Sequence, residues 1–269
     1  ADYTFEEKYG FRDYRGGGRS SARETIGRVA AGAIAEKFLK QLNISVTAYA
    51  KSIGPVEVSP ERMDLSEIPN NRFCLPDADS AKEAEHYLDQ KIAECDSVGG
   101  VVECVISGLP AGLGEPVFEK LDANLAKAIL SIGAVKGFEI GDGFAATKAC
   151  GSENNDEFRM DGDKIVKETN HAGGVLGGIS DGSDVIFRAA FKPTPSIAKS
   201  QETVTKDGEN IDLVIHGRHD PVVVPRAVVV VESMAAITAM DMLLMSMTSR
   251  LDLIQMFFQV ENVDDSPEQ

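Results

Sequence analysis

The run Gly16-Gly17-Gly18-Arg19-Ser20-Ser21 sets three glycines, a guanidinium and two hydroxyls directly ahead of a segment with helical periodicity. Glycines let backbone amides approach an anion, a helix start adds unpaired N–H groups with partial positive charge, and arginine offers a planar fork of donors matched to phosphate. Five of the twelve arginines, Arg12, Arg15, Arg19, Arg23 and Arg28, fall in this one stretch. On a helix, Arg15, Arg19 and Arg23 would share a face, which is unfavourable unless an anion neutralises them. The segment has no Gly-Lys-Ser/Thr of a Walker A loop, and no strand precedes it as a dinucleotide fingerprint requires. It fits a phosphorylated ligand; Ser21 capping a helix whose arginines face solvent would use the same residues.

Three other constellations suit the same chemistry. His216-Gly217-Arg218-His219-Asp220-Pro221 puts imidazole, guanidinium and carboxylate in one tight loop, as an acid/base group or a phosphate contact would need. A charged surface turn has the same composition. Lys192-Pro193-Thr194-Pro195-Ser196-Ile197 offers a cation and two hydroxyls on a stiff extended segment, suited to an anion or to ending a strand. The glycine run from Asn170 to Gly178 allows close approach to a flat ligand and equally suits a flexible loop. No His-Glu-x-x-His or Gly-x-Ser-x-Gly spacing occurs, and Asp161-Gly162-Asp163 lacks the spaced oxygens of a calcium loop, so no metal site is expected.

The elements that must position these groups follow from periodicity. Ser21 and Glu24 read as a capping box opening a helix from about Ala22 to Gln41. Strands are predicted at 44–50 and within 99–107, a helix at 81–94, a helix running from Pro116 to Gly133, and a further strand by residue 145. After a polar stretch, 184–191 reads as a strand, and the Met- and Leu-rich pattern of 233–259 as one long helix. The pattern implies an α/β or α+β architecture with no domain linker, hence a single domain over 1–269.

Composition limits the partners. The chain has 269 residues, 43% apolar and 26% charged, enough for a packed core. Its net charge of −16 opposes nonspecific attraction to nucleic acid or anionic membrane. Asp241 and Arg226 interrupt the most apolar runs, which argues against a membrane span. Cys74, Cys95, Cys104 and Cys150 show no Cys-x-x-Cys spacing and are expected to be buried, inert thiols of a cytoplasmic protein.

Taken together, Glu7 to Thr25, Arg28 to Ala35, Val135 to Phe144, the Asn170 to Ser180 run, Lys192 to Ile197 and Gly217 to Pro221 resemble the chorismate synthase family, in order and over nearly the whole chain. The resemblance implies an α+β fold with a helical layer sandwiched between antiparallel β-sheets. It implies a flavoenzyme of the shikimate pathway that needs reduced FMN and converts 5-enolpyruvylshikimate 3-phosphate to chorismate by 1,4-anti elimination of phosphate, usually as a homotetramer. The flavin would be reduced by NADPH at this protein or by an outside reductase.

Carried onto this chain, the resemblance assigns FMN contacts to Arg19, Ser20, Ser21, Gly133, Ala134, Gly177, Lys192, Pro193, Thr194, Pro195, Ser196 and Arg218. Arg23 would bind the substrate's phosphate or carboxylate, and Asp220 would be the carboxylate of proton removal. Family members also have an N-terminal segment with a Gly-Glu-Ser-His-Gly-like motif and two histidines proposed as general acids, which this sequence lacks. Val222 stands where many relatives have Cys, and Gly133 where many have Asn. The expectation is therefore a truncated chorismate synthase with poor activity in isolation. The alternative is a non-catalytic flavin- or anion-binding fragment held by oligomer contacts.

Overall fold

A computed structural model describes residues 2–217 and 219–259. Helix α1 (Asp2–Tyr9) precedes the glycine run, and two 3-10 turns, Gly18–Ser20 and Ala22–Thr25, lead into α2 (Ile26–Lys40). Then come β1 (Ser45–Ile53), β2 (Val56–Glu57), α3 (Ala78–Ala93), β3 (Gly100–Ser107), α4 (Leu121–Leu130) and β4 (Val135–Ile140). The remainder comprises α5 (Gly151–Asn154), hairpin β5 (Phe158–Asp161) with β6 (Lys164–Lys167), hairpin β7 (Val175–Leu176) with β8 (Ile179–Ser180), strand β9 (Val185–Phe191), and hairpin β10 (Gln201–Val204) with β11 (Asn210–Leu213). Helices α6 (Val224–Ser246) and α7 (Leu251–Phe258) close the described chain.

Five strands form one antiparallel sheet in the order β2-β1-β3-β9-β4. Alternation sorts its two faces. Val102, Cys104 and Ile106 of β3 and Val185, Phe187, Ala189 and Phe191 of β9 are buried on one face. There α6 packs across β1 and β3, with α2 and α4 also against α6. The class is α+β, with a helical layer on an antiparallel sheet. Close packing of α2 on α6 depends on Gly32, where a Cβ would lie 2.2 Å from that of Ser233. The buried apolar residues of helices and sheet form one continuous cluster. The opposite sheet face holds charge: the Arg188 guanidinium lies 2.7 Å from Glu139 and 3.5 Å from Glu103, which also accepts the Tyr49 hydroxyl.

Several expectations need correction. Ser21 does cap, but its Oγ accepts from Arg23 N–H, and Glu24 pairs with Arg28 instead of closing a capping box. The first turn is 3-10, so Arg15, Arg19 and Arg23 do not share one helical face. The Pro116 helix begins only at Leu121, because Glu115 and Glu119 pair as a β-bridge and Val117 and Phe118 lie exposed. It ends at Leu130, before Gly133. The long C-terminal helix starts earlier, at Val224 with Pro225 in its first turn, and breaks between Ser246 and Leu251. Cys104 alone is buried; Cys74 is partly buried, and Cys95 and Cys150 are exposed. Helix α6 is long and apolar enough to cross a membrane by length and composition, with mean hydropathy 1.9, despite Asp241. Half of that window is buried inside the fold, as a core helix requires.

Candidate anion and cofactor site

Register fixes which loops meet. Ile53 pairs with Gly100, Gly100 with Phe191, and Phe191 with Val135, so these residues mark one end of the sheet. Ser45 and Ser107 pair at the other. Because α2 runs into β1 at the Ser45 end, its N-terminus, with the arginine segment before it, lies toward the Phe191 end. Gly133 and Ala134 immediately precede Val135, and Lys192 immediately follows Phe191. The backbone N–H of Lys192 donates to the Ala134 carbonyl at 3.0 Å. Ala134 holds φ of 74°, a left-handed conformation uncommon for a residue with a Cβ, so this turn is held by its surroundings.

The Asp220 loop reaches the same end through Ser97, Val98 and Gly99. Val98 N–H donates to the Pro221 carbonyl at 2.8 Å, and Ser97 Oγ donates to the Thr194 carbonyl at 2.7 Å. Gly99 permits this crossing, since a Cβ there would lie 2.2 Å from the Phe191 carbonyl oxygen. Asp220 is itself engaged by Arg226 in the first turn of α6, Nη1 to Oδ2 at 2.7 Å. Arg19, Ser20, Ser21, Arg23, Gly133, Ala134, Lys192 to Ser196 and Asp220 therefore gather at one end. Arg218 lies outside the described residues. Gly177 sits elsewhere: the Gly178 carbonyl accepts from Leu121 N–H at the start of α4, at the far end of the sheet. That is about 20 Å along β9 from Lys192, at roughly 3.3 Å per residue.

The arginine cluster is unevenly neutralised. Arg15 pairs with Asp13 at 2.7 Å, Arg12 approaches Asp2 at 3.4 Å, and Arg28 pairs with Glu24 at 3.1 Å. Arg19 and Arg23 are exposed, and neither has an ion-pair partner among the described residues. Gly18, at φ of 52°, turns the chain between the glycine run and Ser20. A cleft of about 350 Å³ opens beside it, lined by Phe5, Tyr9, Arg12, the three glycines and Ser20 among others. Thr194 Oγ1 is buried without a hydrogen-bond partner, an uncommon state for a hydroxyl. Two free guanidiniums and an orphaned hydroxyl at one sheet end can bind an anion.

Sequence reasoning missed the side chains that hold these groups in place. Arg226 and Ser97 look like ordinary surface residues until Asp220 and Thr194 are seen beside them. Lys167 is 2% exposed at its side chain and lies 3.1 Å from Asp156 and 2.7 Å from Asp181. Burial raises the Asp156 carboxyl, but N–H groups of Ala172 and His171, the Thr169 hydroxyl and Lys167 outweigh it and hold it well below the carboxylate range. This knot ties the β5–β6 hairpin to the glycine run. Its one sequence signal is a lysine in a strand end between two acidic turns. Burial between α2 and α6 pushes the Glu232 carboxyl up to about 7, with Glu36 adding like-charge repulsion. Among the described residues, no group of three or more His, Cys, Asp or Glu is placed to hold a metal ion.

The family model described as chorismate synthase matches residues 1–244. A chorismate synthase of Lachnoclostridium phytofermentans is 62% identical over 260 residues, 96% of this chain and 71% of that protein. One from Agathobacter rectalis is 64% identical over 259 residues, again 96% and 71%. A solved crystal structure of chorismate synthase superposes with a TM-score of 0.77 at 31% identity, covering 95% of this chain and 74% of that one.

Proposed function

This chain belongs to the chorismate synthase family, and from that premise we propose that the Phe191 end of the sheet binds reduced FMN and 5-enolpyruvylshikimate 3-phosphate and converts the latter to chorismate. The observation that carries the reading is the pair of guanidiniums, Arg19 and Arg23, left without counter-charges beside a glycine turn. Both ligands are polyanions. A chain of net charge −16 needs concentrated positive charge to hold two of them side by side.

The residues present suit the flavin. Arg19, Ser20 and Ser21 offer a guanidinium and two hydroxyls to its phosphate, and the orphaned Thr194 hydroxyl supplies a donor on the facing segment. Lys192 adds a cation and Ser196 a hydroxyl, with Pro193 and Pro195 keeping that segment extended. Gly133 and Ala134 present backbone amides where no Cβ of residue 133 intrudes. Arg218 joins the donor set by position in the chain, and Gly177 by resemblance, from the far end. When bound, reduced flavin lends electron density to the reacting system as phosphate departs.

The chain's own residues do the rest. Arg23 binds the substrate's phosphate or carboxylate and steadies the charge that grows on the leaving group. Asp220, aimed by Arg226, takes part in moving the proton lost from the ring as the C–O bond breaks and a new double bond forms. The products are chorismate and inorganic phosphate, with no net oxidation. Assembly as a cytoplasmic homotetramer belongs to the same reading, with Leu251, Met256, Phe257 and Phe258 of α7 exposed for contact. An anaerobic assay with reduced FMN and the phosphorylated substrate tests it on the full-length protein. Chorismate should form, and Arg23→Ala, at limiting substrate, or Asp220→Ala should sharply reduce its rate. If the protein binds flavin yet neither substitution matters, the site assignment is wrong.

A further inference from the structure

The two segments expected to grip the flavin from opposite sides, Arg19–Ser21 and Gly133–Ala134, are far apart in sequence and sit on different helices. Arg19–Ser21 precedes α2, and Gly133–Ala134 follows α4; both helices pack on α6. Among the described residues, one hydrogen bond joins them directly: Arg28 Nη1 donates to Ser131 Oγ at 2.7 Å.

The geometry of that contact uses each group fully. The Ser131 hydroxyl donates its proton to the Ala128 carbonyl at 2.6 Å and accepts from Arg28 with a lone pair. Arg28 Nε lies 3.1 Å from Glu24, four residues earlier, at the end of the 3-10 turn that begins at Ala22. One planar guanidinium thus contacts the turn containing Arg23 and Ser131, the residue that caps the C-terminus of α4, together. Its charge also faces the carboxyl end of the α4 dipole, where a cation is favoured. Two residues beyond Ser131, the chain enters Gly133 and the left-handed Ala134, whose carbonyl holds Lys192.

We propose that Arg28 is a positioning residue, setting the gap between the arginine segment and the Gly133–Ala134 turn through Ser131. The inference rests on the flavin reading above. Arg28 touches no ligand; it decides whether the donors on the two helices are spaced for one molecule. A lysine cannot reproduce this, because a single ammonium lacks the fixed fork that spans Glu24 and Ser131 at once.

The test is a double-mutant cycle read by reduced-FMN affinity at 25 °C, with melting temperature recorded alongside. Arg28→Ala and Ser131→Ala should each weaken FMN binding about 3- to 10-fold, and the double variant no more than the weaker-binding single, since both remove one contact. Arg28→Lys should fall between. Arg19→Ala is the control for the flavin reading. If Arg19→Ala weakens binding while Arg28→Ala and Ser131→Ala shift it less than twofold, or if their effects add in full, the positioning role is overturned and the flavin reading stands. If Arg19→Ala also leaves binding unchanged, the flavin reading falls and takes this inference with it. Should Arg28→Ala fail to fold, Ser131→Ala, at an exposed residue, decides the matter alone.

Discussion

Arg19 and Arg23 keep their charges uncompensated while Arg15 and Arg28, in the same short stretch, are paired with Asp13 and Glu24. In the proposed site this leaves two guanidiniums for an anion. A charge-assisted hydrogen bond is worth about 1.5–3 kcal/mol, so Arg23→Ala should raise the KM for the phosphorylated substrate about 10- to 100-fold in steady-state assays. Asp220 differs in kind, since it is held by Arg226 and not left free. Asp220→Asn should lower kcat by at least 100-fold with FMN affinity nearly unchanged, and Arg226→Ala should lower kcat less. Equal losses of flavin binding and turnover would instead make Asp220 a binding group. The candidate residues were named by sequence motifs, in which glycine, arginine and serine stand together ahead of a helix. Ser97 and Ser131 were illegible: each touches a residue distant in the chain, which no local pattern records, whereas Arg226 meets Asp220 only six residues away, across a turn whose geometry the spacing does not reveal.

Helices and strands with one buried face were read well, because burial imposes the period that pattern detects. Strands β1, β3 and β9 and helix α3 lie close to where alternation and helix formers place them. The misreadings fall where local preference met a tertiary constraint. The stretch after Pro116 has helical composition but is taken up by the Glu115–Glu119 bridge, so α4 begins five residues late. The apolar run after Met247 continues in hydrophobicity but not in direction. The β5–β6 hairpin buries little apolar surface, since β5 is exposed throughout and β6 all but its last residue, and the Lys167 knot ties it to the rest. Removing one partner of a buried ion pair costs about 3–5 kcal/mol. Lys167→Met should therefore lower the melting temperature by roughly 10 °C, measured by circular dichroism. A change under 2 °C would mean the knot is dispensable.

At the scale of the whole molecule, a net charge of −16 coexists with a local cluster of arginines at the Phe191 end. One partly buried carboxylate has a measurable signature. Glu232 lies between α2 and α6, near Glu36, Cys74 and Cys104, and its value rises from 4.5 to about 7 on folding. The fold then holds a proton that the unfolded chain releases. Its contribution is fully present below pH 4.5 and is lost as pH rises through about 7. Asp77 works oppositely. Burial raises it, but Arg62, Ser80 and backbone N–H groups hold it below its ordinary 3.8, so its stabilisation is lost in acid. Glu232→Gln should raise the unfolding free energy at pH 8, measured by denaturant titration, by up to about 3 kcal/mol and flatten the decline between pH 5 and 7. An unchanged profile would show that Glu232 does not titrate in the fold. The α+β class and the cationic end were legible from sequence; the −16 charge bears on partners, and only the register of the sheet brought the separate motifs to one place. Flavin binding at the Phe191 end is the proposal on which the other assignments depend. Titrating the protein with reduced FMN under anaerobic conditions tests it most directly: saturable binding that Arg19→Ala weakens at least 10-fold is the predicted result, and binding that is absent, or indifferent to Arg19, would contradict it.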